Sequence, residues 1–165
     1  MGTCYQAMDK LDDALAAYQK ASQLNPTEPS YKQYIEQIKQ TKAGPLLEAA
    51  YQKQTTKRED GTYDLKGAIA DYEQALAIWD DPNTRLNLGT AYQNDNNIQA
   101  ALAQYKKAIA ANAKLCDAYY YIGTVYEAMS KPALAIPQYK KCVSCDPAGA
   151  NAEASKERIK VLGGR

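Results

Sequence analysis

The chain has 165 residues, enough for one domain with a real core, and a formal net charge of +1. That balance argues against the strong positive field of a nucleic-acid or anionic-membrane binder, and no apolar run is long enough to span a bilayer. There is no His, which removes the usual general base, proton shuttle and imidazole ligand; there is no Phe either, while Tyr occurs 14 times and Cys four.

The N-terminus, MGTCYQAMDK, has no basic segment followed by an apolar core, so it does not look like a signal peptide. Gln6 leaves the myristoylation pattern after Gly2 poorly met. Gly2 and Tyr5 fit the second half of a helix whose first half is absent, as if the chain were the tail of a longer protein or began at a late start site. A helix over about 8–23 follows, with Ala14, Tyr18 and Ala21 on one face and Pro26 beyond it. Segment 28–42 is helix-periodic and polar. Gly44-Pro45 then punctuates, since glycine ends helices and proline begins them, and a new helix is expected from Pro45. REDGTYD is a long loop, and KRED within it is mixed in sign and solvated. Ala68, Tyr72 and Ala75 mark the next helix. Asp81 before Pro82 is an N-cap with proline at the first helical position.

From here the chain repeats itself. Gly89 and Gly123 are 34 residues apart, as are Tyr92 and Tyr126, Ala101 and Ala135, Tyr105 and Tyr139, and Ala108 and Cys142. Spacings of three and four place these residues on single helix faces. Small residues let two helices approach, and the aromatics fill the space beside them. Tyr72 to Tyr105 is 33, so one loop near Asp80 is trimmed; Tyr18 to Tyr72 is 54, room for an extra helix. Pro137 falls inside the last such helix, where a bend or a loosened first turn is expected. The segment AEASKERIKVL, 152–162, is polar like 28–42, and both resemble helices that cap an array.

The period and the skeleton Gly-x-x-Tyr, Ala-x-x-x-Tyr-x-x-Ala resemble the tetratricopeptide repeat. The resemblance implies an all-α, right-handed solenoid of antiparallel helix pairs, about nine helices here. Arg85 stands where the family has its first aromatic and Tyr119 fills that place in the next unit; Pro147 matches the late proline, Ala113 does not. In the unit after Pro45, Leu47 and Tyr51 take the family's Leu and Tyr places and Glu48 its Gly place. The expected division is 1–43, a partial unit with a capping-like helix, and 44–165, an array of about three units with a C-terminal cap. The bland alternative is one long helix kinked at Pro45.

No nucleotide, hydrolase or zinc motif is present, and no cofactor is expected. The acidic pairs Asp12-Asp13, Glu59-Asp60 and Asp80-Asp81 are expected at the surface or in caps. Cys116, Cys142 and Cys145 form a possible thiol cluster: antiparallel pairing brings 116 near 142 and 145, as a disulfide or, less readily, a soft-metal site. For Cys142 alone the simplest role is a small buried hydrophobe. By resemblance, the first helices line a concave groove that holds a peptide or protein partner. Its facing residues are Asn83, Leu86, Asn87, Thr90 and Gln93 in one unit and Asp117, Tyr120, Tyr121, Thr124 and Glu127 in the next. Some family members clamp a C-terminal carboxylate with Lys and Arg. Here those places hold Leu86, Asp117 and Tyr121, and only Asn87 fits. The function implied is a non-enzymatic interaction scaffold, cytoplasmic by default, with no nucleic-acid or membrane partner. Alternatives are self-association into a homo-oligomer through the N-terminal helices, or an unusual activity that uses Tyr, Lys and Cys in the groove.

Overall fold

The computed structural model describes residues 2–3 and 10–163. Among the described residues there are eight full helices and no strand. They are α1 (Leu11–Leu24), α2 (Pro29–Thr55), α3 (Leu65–Ile78), α4 (Pro82–Asn94), α5 (Ile98–Ala111), α6 (Cys116–Ala128), α7 (Pro132–Cys145) and α8 (Ala152–Val161). Gly2 and Thr3 are helical, and Tyr5 lies outside the described residues. None of these helices is long and apolar enough to cross a membrane.

Local chemistry sets the helix starts. Asp81 accepts from the Thr84 amide at 2.8 Å, Asp64 from the Gly67 amide at 3.0 Å and Asn97 from the Ala100 amide at 3.3 Å. Pro29 and Pro82 open α2 and α4 where a missing amide proton costs nothing. The tight α4–α5 and α6–α7 turns each carry one left-handed residue, Asn96 (φ 61°) and Ser130 (φ 57°), 34 positions apart.

Each pair is locked by one tyrosine on one small residue. A Cβ added to Gly89 would lie 2.4 Å from the Tyr105 ring, and one on Gly123 would lie 2.5 Å from the Tyr139 ring. The Tyr18 ring covers Gly2 in the same way, at 2.6 Å. These pairs share a separation of 16 residues, so glycine is needed to bring the helix backbone against a ring face. Tyr72, Tyr105 and Tyr139 are fully buried, and each ring contributes roughly 1.5–3 kcal/mol through removal from water.

Two expectations about the region around Pro45 are corrected. The helix does not break at Gly44-Pro45: α2 runs through it for 27 residues. Pro45 cannot donate to the Thr41 carbonyl, but both residues are exposed, so water satisfies the freed oxygen. The register also differs. Ala50, not Glu48, takes the glycine place: it is fully buried in one cluster with Ala68, Tyr72 and Leu88. Tyr51 points outward, 53% exposed. The cause is the loop from 56 to 64. The Tyr72 hydroxyl meets a partner 18 residues back, whereas Tyr105 and Tyr139 meet theirs 12 back, so the loop holds six extra residues.

The fusion gives α2 two jobs. Its first half packs on α1 through Ile38, Tyr31 and Ile35, with Tyr34 stacked on Tyr18 at 4.8 Å. Tyr121 stacks on Tyr105 in the same relation, so residues 29–42 stand where a following first helix stands. Its second half pairs with α3. With the two expected helices merged into one, the described residues hold eight full helices, close to the nine expected. Pro137 likewise interrupts nothing: α7 is one helix, and the carbonyl it frees, on exposed Ala133, lies in the first turn. The trimmed loop is real, with three residues joining α3 to α4 and four joining α5 to α6.

Candidate functional site: the first-helix face of α4 and α6

The ten residues expected to line a groove lie on α4 and α6, and the structure joins the two sets. Tyr105 donates its hydroxyl to Gln93 Oε1 at 3.0 Å, Gln93 Nε2 donates to Thr124 Oγ1 at 3.3 Å, and Thr124 donates to the Tyr121 carbonyl at 2.8 Å. Thr90 donates to the Leu86 carbonyl at 3.1 Å and sits 3.4 Å from the Tyr105 hydroxyl. Tyr121 stacks on Tyr105 at 5.5 Å and meets Tyr120 edge-on at 5.5 Å. Burial pushes the Tyr105 phenol well above its ordinary value and that of Tyr72 up to about 12, so these hydroxyls stay protonated donors.

The same bond recurs along the array: Tyr72 to Gln54 at 3.0 Å, Tyr105 to Gln93, and Tyr139 to Glu127 at 2.5 Å. Gln93 and Glu127, expected to face a partner, each accept a tyrosine hydroxyl of the following helix in this structure. The signal was present, a Gln or Glu four residues after each repeat glycine. At the C-terminal end Arg158 from α8 holds Glu127 with two guanidinium nitrogens, Nε at 3.0 Å and Nη2 closer. Arg158 is 34 residues beyond Thr124. Asn151, which donates to Asp117 Oδ1 at 2.9 Å, is 34 beyond Asp117. Helix α8 is therefore laid down in the register of a further first helix. Its places for a packed second helix hold Lys156, Glu157 and Lys160, all exposed, the polar outer face of a capping helix.

Asn83, Asn87, Leu86 and Tyr120 are what remains on this face. Both asparagine amides are exposed, and no hydrogen bond among the described residues engages them. Leu86 is half-buried against the core of the α5–α6 unit. Tyr120 lines a cavity of about 130 Å³ with Thr124, Glu127, Tyr139 and Arg158. A larger hollow of about 550 Å³ lies elsewhere, against the long 56–64 loop, bounded by Gln54, Thr55, Tyr63, Leu65 and Asn94. It contains none of the expected residues.

Two of the three cysteines are joined, and the third stands apart. Cys116 and Cys145 are disulfide-bonded, with Cα atoms 5.6 Å apart, tying the start of α6 to the end of α7. Cys142 is a buried free thiol beside Ser155, and burial raises its pKa. Of the acidic pairs, Asp80 is held by Arg85 at 2.6 Å and Asp12 by Lys42.

Two tetratricopeptide repeat family models match the chain, one over residues 83–118 and the other over 1–28 and 117–148, together more than half of it. The chain belongs to the tetratricopeptide repeat family. No curated protein sequence matches it. Among solved structures it is similar to MamA, with a TM-score of 0.60 and 24% identity over 99% of this chain and 85% of that one. It is similar to the TPR domain of Arabidopsis OM64, with a TM-score of 0.64 and 17% identity over 74% of this chain and 98% of that one. The first TPR of Spaghetti (RPAP3) bound to the HSP90 peptide SRMEEVD gives 0.62 and 21%, over 74% and 94%. At these identities the likeness concerns the fold.

Proposed function

We propose that this chain is a non-enzymatic scaffold that holds an extended segment of a partner protein against the first helices α4 and α6. The observation that carries this reading is the pair of exposed amides, Asn83 and Asn87, one turn apart on α4, with Leu86 beside them in the chain and Tyr120 at the equivalent place of Leu86 on α6. A carboxamide offers a donor and an acceptor at once, matching a peptide group. Tyrosine adds apolar area with little entropy to lose. A structural relative with a peptide bound supports this use of the fold.

The partner's chemistry differs from that relative's acidic peptide. In the clamp places stand Leu86, Asp117 and Tyr121, and Arg158 at the groove end is already paired with Glu127. A neutral, partly apolar segment fits better than an acidic C-terminus. The near-zero net charge favours protein over nucleic acid.

The test is selection from a displayed random-peptide library, followed by fluorescence anisotropy of the selected peptides. Wild type should bind, and Asn87→Ala with Tyr120→Ala should bind at least about tenfold more weakly, the loss of one anchor. Peptides that bind the double variant equally well would place the site elsewhere.

A further inference from the structure

The register of α2 places a third apolar residue in line with two on α4 and α6. Leu47, Leu86 and Tyr120 each stand three residues before the glycine place of their helix, held by Ala50, Gly89 and Gly123. All three are half-buried, so each keeps part of its apolar surface in water. The helices that carry them are neighbours. Ala50 of α2 shares a cluster with Leu88 and Ala91 of α4, and Gln93 of α4 bonds Thr124 of α6. Packed helix axes lie about 8–10 Å apart, and the row advances by that step. The charge on the same face is one-sided. Continued in register through α2 and α8, its places hold three carboxylates, Glu48, Asp117 and Glu127, against one cation, Arg158, which Glu127 already holds. Among the described residues no ion pair engages Glu48 or Asp117, which stand at the two ends of the row.

We infer that the partner segment, on the scaffold function proposed above, is a proline-rich stretch in the polyproline-II conformation, with an apolar side chain at every third residue and basic residues flanking that uncharged core. Polyproline II has three residues per turn and rises about 3.1 Å per residue, so every third side chain returns to one face about 9 Å on. That is the step of the row. An extended strand alternates faces, and its third neighbour points away. An α-helix regains a face after seven residues, about 10.5 Å, but its backbone groups are bonded within it. A polyproline-II backbone has no internal hydrogen bonds, and the unengaged amides of Asn83 and Asn87 offer it donors and acceptors. Tyr120 supplies the aromatic surface on which proline-rich segments dock. Glu48 beside Leu47, and Asp117 one turn before Tyr120, favour lysine or arginine at the flanks.

Fluorescence anisotropy of labelled synthetic peptides on the full chain tests this. Lys-Leu-Pro-Pro-Leu-Pro-Pro-Leu-Lys should bind at least about tenfold tighter than its isomer with the three leucines adjacent, and tighter than a helical peptide with leucine at every seventh place. Leu47→Ala should weaken the repeat peptide by about tenfold, the loss of one anchor. Leu47 also packs against the core, so circular dichroism checks that this variant folds. Glu48→Lys, an exposed change, decides if it does not: it should weaken the Lys-flanked peptide and leave the unflanked one unchanged. Equal binding of the adjacent-leucine isomer or of the helical peptide overturns the inference. So does a repeat peptide indifferent to a folded Leu47→Ala, or to Glu48→Lys. Library peptides that bind α4 and α6 without a three-residue pattern overturn this occupant and leave the scaffold function standing, whereas a chain that selects no peptide overturns both.

Discussion

Arg158 and Glu127 join the last helix to the array: the guanidinium of α8 takes both oxygens of a carboxylate that also accepts the Tyr139 hydroxyl at 2.5 Å. Arg158 is the chief cause that holds the Glu127 carboxyl below its ordinary value, and Tyr139 adds to it against the opposing effect of burial. A carboxylate whose folded-state pKa is depressed stabilises fully above its unfolded value, about 4.3, and loses that contribution as pH falls through the folded value. Stability should therefore drop in the acid range below about pH 5. The gap between wild type and Glu127→Gln should shrink over the same range. Urea midpoints measured at stepped pH check both; a gap independent of pH would mean the carboxylate's charge does not hold α8.

The glycine places differ in what they tolerate. A methyl on Gly89 meets the buried, hydrogen-bonded Tyr105 ring at 2.4 Å, so Gly89→Ala should destabilise by about 1–3 kcal/mol despite alanine's better helix propensity. The reverse change at the equivalent Ala50, Ala50→Gly, should cost about 1 kcal/mol from backbone entropy and lost packing. Thermal and urea unfolding decide this; a stabilising Gly89→Ala would show that the ring has room to shift.

Pro45 interrupts a continuous helix without touching the core. Pro45→Ala restores the amide that faces the Thr41 carbonyl on an exposed surface and should stabilise by about 1–3 kcal/mol. A loss of stability instead would mean that the proline fixes the angle at which α2 joins its two halves.

The Cys116–Cys145 bond closes a 29-residue separation. Constraining the unfolded chain by that much is worth roughly 3 kcal/mol, so replacing both cysteines by serine should lower stability by about that amount. Amide exchange should quicken first at the end of α7 and in α8, which follows it. If the melting temperature is unchanged in reductant, the bond does not contribute.

Much of the fold was legible because packing residues recur at a fixed period. Gly89, Gly123, Tyr105 and Tyr139 are constrained by helix contact and so repeat, whereas the residues between them do not. The helix merger at Gly44-Pro45 was misread because propensity there favours a break, and packing on both α1 and α3 outweighs one lost solvent-side hydrogen bond. The slip to Glu48 and Tyr51 came from the long loop: REDGTYD marks it, but its residues do not tell that it adds six to the unit. The repeat register put the ten expected residues on α4 and α6, but it did not show which of them bond within the array. Gln93 and Glu127 carry polar groups suited to a partner and to a neighbouring tyrosine alike, and only the folded position of that tyrosine reveals the second bond. Arg158 and Asn151 were overlooked, although extending the period past residue 145 finds both.

The most direct measurement is the binding isotherm of one selected neutral peptide, titrated into wild type and into Asn87→Ala with Tyr120→Ala, with an acidic carboxylate-terminal peptide as control. The account predicts saturable wild-type binding, a loss of about tenfold or more in the double variant, and weaker binding of the acidic peptide. Equal binding by both proteins, or preference for the acidic peptide, would contradict it.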